Sequence, residues 1–128
     1  MIENFDELMN GSQKKNNDNN DDSLLDQITS RLDAIYNQYH WKSEDDLRVS
    51  CINAAQLELN YLNEDKSDSE KLTKLPTNAV AWLFGKAFHY YLFDTSEDAR
   101  IAFYKPTSGT YTRNLRELYR YLSFFEPS

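Results

Sequence analysis

Apolar and polar positions change their spacing in blocks along the chain, and each block predicts an element. Leu25, Ile28, Leu32, Ile35 and Tyr39 recur at steps of three and four, the period of one helix face. Ser23, with Asp26 three positions on, carries a capping signature, so a first helix is predicted to open there. Ser43 and Asp46 repeat the device for a second helix, and Glu44, Asp45 and Asp46 complement the dipole of its first turn. Within it Ile52, Ala55, Leu59 and Leu62 form one row, flanked by Leu47, Cys51 and Ala54. The intervening His40-Trp41-Lys42 is short enough to force the two helices into a hairpin.

Asn63 to Lys71 is polar and reads as a loop, after which Leu72 and Leu75 return to the core and Pro76 suits a helix start. From Ala79 to Phe93 only Lys86 and His89 are polar, which predicts a central helix covered on several sides. Thr95 with Asp98 signals a short helix through Ala99, Ala102 and Phe103 that must stop by Pro106. Thr107 to Thr110 reads as a turn, and Tyr111, Leu115, Leu118, Leu122 and Phe125 predict a last helix. No segment alternates over the length of a strand. The expected fold is all-α: a small bundle of four main helices plus one short helix, with a flexible N-terminal arm. Its domains are an acidic arm, 1–22, and a helical domain, 23–128. Asn10 to Asp22 has no apolar residue and cannot offset its ordering entropy by burial, so it reads as a tether. Ahead of it Ile2, Phe5, Leu8 and Met9 fall at helical spacing, as in a docking peptide that folds on a neighbour or a frayed terminus.

With 128 residues the chain has room for one domain, and 3 Gly and 3 Pro argue against a turn-rich sandwich or barrel. The lone Cys51 excludes an internal disulfide framework and a cysteine-based zinc site, and fits a reducing compartment. Residues 1–9 hold three acids and no base, unlike a secretory or transit peptide, and no apolar run approaches the ~20 residues that span a bilayer. A net charge of −7 opposes broad capture of a phosphate backbone. Its distribution is uneven. Residues 1–22 carry six acids against two lysines, whereas after residue 98 five Lys and Arg face only Glu117 and Glu126. Opposed ends suit head-to-tail contacts between copies, although a solvated surface can be as asymmetric.

Chemistry-bearing constellations are sparse. His40 and His89 have no second His or Cys three or four positions away, so each is assigned a structural role. Gly11, Gly85 and Gly109 stand too far apart for a phosphate-cradling loop, and no nucleophile elbow is present. Glu44-Asp45-Asp46 caps a helix and Glu64-Asp65 lies in a solvated loop, which leaves little for a divalent cation. No catalytic residue, cofactor site or metal ligand is therefore assigned, and the chain is not expected to be an enzyme. Two features suit recognition. Arg113, Arg116 and Arg120, three and four apart, form a row that could pair with the acidic part of another copy, or pair locally with Glu117 on a solvated face. Trp82 to Phe125 holds thirteen aromatic rings, more than one small domain comfortably hides, so some are expected to line an interface. The expected interface residues are Ile2, Phe5, Leu8, Arg113, Arg116 and Arg120.

SEDDLRVSCINAAQLELNYLN, a polar loop and then LPTNAVAWLFGKAFHYYLFD resemble the head-to-tail connector (adaptor, or head-completion) proteins of tailed bacteriophages. Asp45, Asp46 and Leu47 match the family's acidic helix entry, Ile52, Ala54 and Ala55 the middle, Tyr61, Leu62 and Asn63 the exit. Leu75 and Pro76 match the start of the next helix. The resemblance implies a non-catalytic virion protein, made in the host cytoplasm, that assembles as a ring of about twelve copies beneath the portal. It implies contacts with the portal above and a further tail or head-completion protein below, and a DNA channel through which the duplex passes without sequence-specific binding. No membrane contact is implied. The chain departs from the family in its Asn/Asp-rich tether, its upstream helix and its basic, Tyr-rich C-terminal segment, so no binding residue carries over. A competing expectation from charge alone is a small acidic inhibitor that imitates DNA and binds a host nucleic-acid-binding enzyme, using acids such as Asp65, Asp68 and Glu70.

Overall fold

A computed structural model describes residues 22–93 and 100–126. Its elements are α1 (Asp22–Tyr36), α2 (Glu44–Asn63), a 3-10 turn (Asp68–Glu70), α3 (Thr77–Ala87), β1 (Tyr90–Phe93), β2 (Arg100–Lys105), β3 (Thr110–Thr112), α4 (Leu115–Leu122) and a closing 3-10 turn (Ser123–Phe125). The fold is therefore mixed α/β, and the all-α expectation is corrected by a three-stranded antiparallel sheet in the order β1-β2-β3. Among the described residues no helix is long and apolar enough to cross a membrane.

Capping chemistry sets the helix starts. Ser43 Oγ accepts from the Asp46 amide at 3.1 Å and opens α2 as its spacing predicts. Pro76 sits immediately before α3, and its carbonyl accepts from the Ala79 and Val80 amides. α1 begins one residue before Ser23, which is a helical residue rather than its cap, and it stops at Tyr36, so Tyr39 lies beyond the helix. The core row of α2 is Leu47, Cys51, Ala54, Ala55, Glu58, Leu59 and Tyr61, rotated from the predicted row so that Ile52 and Leu62 are only half-buried. Asn63 ends α2 with a clamp on the return loop. Its side chain donates to the Leu72 carbonyl at 3.0 Å and accepts from the Leu72 amide at 2.8 Å.

The third helix is shorter than predicted. Phe88 adopts extended geometry, and the chain leaves α3 as β1 instead of continuing to Phe93. Tyr90 pairs with Phe103, Tyr91 with Ala102 and Leu92 with Ile101, so residues expected in a short helix form β2. The Thr95–Asp98 cap predicted for that helix lies outside the described residues. Tyr111, expected on the last helix, belongs to β3 and pairs with Tyr104. That helix begins at Leu115, where Asn114 accepts from the Arg116 and Glu117 amides at 2.8 and 3.2 Å.

These strands are rich in aromatic and β-branched residues that favour a pleated surface. Tyr90, Leu92, Ile101 and Phe103 face the helices and join the core, whereas Tyr91, Ala102, Tyr104 and Tyr111 occupy the alternate positions on the outer face. Inside, Phe88 touches Phe84, Phe103, Tyr121 and Phe125 with ring centroids 5.1 to 6.4 Å apart. All five of these rings are at most 1% exposed and pin α3, β2, α4 and the closing turn to one another. α1 packs on α2 and α3, and on the outer face of the sheet Tyr91 and Tyr111 are exposed.

Candidate functional site

The outer sheet face and the end of α1 together present one continuous run of rings. Tyr36 stacks on His89 at 3.7 Å and Tyr39 lies 5.1 Å from His89 on an equally shallow angle. Tyr39 meets Tyr104 edge-on at 5.9 Å, Tyr104 meets Tyr111 at 5.3 Å, and Tyr111 meets Tyr91 at 5.3 Å. Tyr91 on β1 and Tyr111 on β3 are separated by the whole width of β2, and they meet because Ala102 between them offers only a methyl group. Ala102 is 4% exposed although it lies on the outer face.

Two backbone contacts hold the array in place. His89 Nε2 lies 3.1 Å from the Tyr36 carbonyl, which only accepts, so Nε2–H is the donor and the ring is anchored to the C-terminus of α1. The Trp41 amide donates to the Pro106 carbonyl at 3.2 Å, joining the α1–α2 connection to the β2–β3 turn. That turn closes at Gly109, where φ is +74°. A Cβ at Gly109 would lie 3.1 Å from His40 Cε1, so His40 packs against the turn. Both histidines thus act as supports for the aromatic face.

Tyr91, Tyr39 and Tyr111 remain 58%, 49% and 45% exposed despite their mutual contacts. The Tyr111 hydroxyl is held above the usual tyrosine range, first by desolvation and then by its hydrogen bond and proximity to Tyr91, with Tyr36 and Tyr104 adding to the effect. Four phenols therefore converge. Exposed contiguous rings of this kind mark recognition surfaces on folded domains. Sequence density pointed to surplus aromatics, but not to which ones. The usable signal was chemical: the phenylalanines of the described core, Phe84, Phe88, Phe103, Phe124 and Phe125, are buried, while the exposed rings are tyrosines.

The predicted arginine row does not survive as a unit. Arg120 grips Glu44 at the start of α2 through both guanidinium nitrogens, one bond measuring 2.9 Å, and binds Glu117 at 2.9 Å. It also lies 5.1 Å from the Tyr121 ring and 5.9 Å from Phe124. Arg120 first, then Lys105 at 3.1 Å, holds the Glu117 carboxyl down at about 2, and the Arg120 hydrogen bonds likewise lower Glu44. Arg120 is thus an internal strut joining α4 to α2. Arg113 precedes the cap of α4, and Arg116 is exposed on its first turn. Ile2, Phe5 and Leu8 lie outside the described residues. Among the described residues no three His, Cys, Asp or Glu side chains converge as a metal site requires. Asp45 and Asp68 each approach a base on their own helical turn, Arg48 at 3.9 Å and Lys71 at 3.5 Å. No family model, curated protein or solved structure matches the chain.

Proposed function

We propose that this chain is a non-catalytic assembly protein whose tyrosine-covered sheet face is the surface that meets copies of itself and its partners. The observation that carries the reading is the run of six rings along the outer sheet face and the end of α1 in a chain of net charge −7. Tyrosines suit this role because each offers a rigid apolar ring with a hydroxyl at its wet edge. In its specific form the proposal is a head-to-tail connector of a tailed bacteriophage, a ring around the DNA channel between portal and tail. The capped helix 43–63 supports that form, whereas the Pro76-led helix stops at Ala87 and the aromatic end that the resemblance expects on it runs on as β1. The sheet is an addition that the resemblance does not account for.

The test is cryo-electron microscopy of the full chain mixed with the portal assembly of its phage, beside a Tyr91→Ser/Tyr111→Ser variant. The wild-type chain is expected in a multi-copy ring and the variant outside it. The variant loses the Tyr91–Tyr111 and Tyr104–Tyr111 ring pairs, each worth about 0.5–1.5 kcal/mol, and a urea midpoint checks that it stays folded. A wild-type chain that stays monomeric beside the portal, or a variant that assembles equally well, sinks the proposal.

A further inference from the structure

β3 is an edge strand of the sheet, and the phase of the ladder fixes where its backbone groups point. The Tyr104 amide donates to the His89 carbonyl at 2.8 Å, so Tyr104 turns its backbone groups toward β1. Neighbouring residues of a strand turn theirs the other way, and the Lys105 carbonyl accepts from the Gly109 amide on the β3 side at 2.8 Å. Tyr111 stands opposite Tyr104, in a pair that exchanges no backbone hydrogen bond. Its N–H and C=O therefore point away from β2 along the open edge, and among the described residues no hydrogen bond reaches either.

A donor and an acceptor side by side on an exposed strand residue form a template for a further strand. Folded domains guard such an edge with Lys, Pro, other charges or a bulge, and Thr110-Tyr111-Thr112 carries none of these. The strand also selects its occupant. Thr-Tyr-Thr reads the same in both directions, so a second β3 laid antiparallel about a two-fold axis at Tyr111 meets an edge identical to its own. Each Tyr111 N–H then donates to the other Tyr111 carbonyl, and Thr110 faces Thr112 of the second copy on either side, a favourable cross-strand pair. The threonines are already set, Thr110 by Ser108 Oγ at 2.9 Å and Thr112 by the Asn114 amide at 3.1 Å. Charge does not oppose this register, because Arg113 comes opposite Gly109 of the second copy and not opposite another arginine.

We propose that two copies of the chain join by antiparallel pairing of their β3 edges, which makes one continuous sheet of the two. The two Tyr111 rings then stand side by side on the outer face and merge the two runs of rings. This pairing does not rest on the reading of the ring face as the assembly surface, and a two-fold contact closes at two copies, so it is separate from any contact that builds a ring.

Sedimentation velocity of the full chain tests the pairing, carried to millimolar concentration because so short an interface is weak. Tyr111→Pro removes the outward N–H and leaves the ladder to β2 intact, which an edge position allows. Tyr111→Val removes the ring and keeps the N–H on a β-branched residue. The wild-type chain is expected to dimerise, Tyr111→Pro to associate about thirtyfold more weakly through loss of both hydrogen bonds, and Tyr111→Val to stay much closer to the wild type. Amide exchange in the wild-type chain needs no substitution: the Tyr111 amide should slow several-fold as concentration rises, while the Thr112 amide, which faces β2, changes little. A monomer at every concentration, a Tyr111 amide indifferent to concentration, or equal weakening by both substitutions overturns the pairing. If the dimer forms while Tyr91→Ser/Tyr111→Ser still joins the portal ring, the pairing stands and the assembly reading fails.

Discussion

Arg120 illustrates how a surface residue in sequence becomes a structural one in the fold. Its guanidinium links Glu44 and Glu117 and covers two rings, so replacing it leaves two carboxylates facing each other without their shared cation. Arg120→Met should cost about 1 kcal/mol, because the pairs are partly exposed and screened by solvent. The sign of its pH dependence follows from Glu117, whose carboxyl sits at about 2 in the fold against an ordinary 4.5. Stability from this pair is fully present above 4.5 and is lost as pH falls toward 2. Thermal melts across that acid range should therefore be steeper for the wild type than for Arg120→Met, whose Glu117 keeps only Lys105. Gly109 is the second sensitive position, since a side chain there meets both a left-handed backbone and the His40 ring. Gly109→Ala should cost about 1–2 kcal/mol in urea unfolding.

At the scale of elements, α4 depends on its single side-chain cap, and Asn114→Ala should destabilise the chain by about 1 kcal/mol, read as a lower urea midpoint. The helices were legible because their signals are local: Ser43 with Asp46, Pro76, and apolar rows at steps of three and four. The sheet was hidden for a physical reason. In Tyr90–Leu92 and Ile101–Tyr104 the inward and outward positions are all apolar, so polarity does not alternate, and in β2 Ile101, Ala102 and Phe103 are all buried. Tyr111 also stands four residues before Leu115, which extends the helical spacing of α4 back across β3 and its cap. Pairing between strands, a long-range property, overrides that local pattern. The same confusion placed Arg113, Arg116 and Arg120 on one helix face, although Arg113 lies ahead of the cap and Arg120 turns inward to Glu44.

Across the whole molecule the sheet divides two aromatic populations. Among the described residues Phe84, Phe88, Phe103, Phe124 and Phe125 with Tyr61, Tyr90 and Tyr121 belong to the core side, and Tyr36, Tyr39, Tyr91, Tyr104 and Tyr111 with His89 form the outer run. The first population explains how a modestly apolar chain closes a core, and the second is surplus to folding. That surplus was visible in the ring count from Trp82 to Phe125, but its location required the strand register. An assembly role uses the feature that folding leaves unexplained.

The most direct measurement of that role is iodination of individual tyrosines read by mass spectrometry, in the full chain, free and then mixed with the proposed portal partner. Tyr39, Tyr91 and Tyr111 should react in the free chain and be protected in the assembly. Equal labelling of these three in both states would contradict the account.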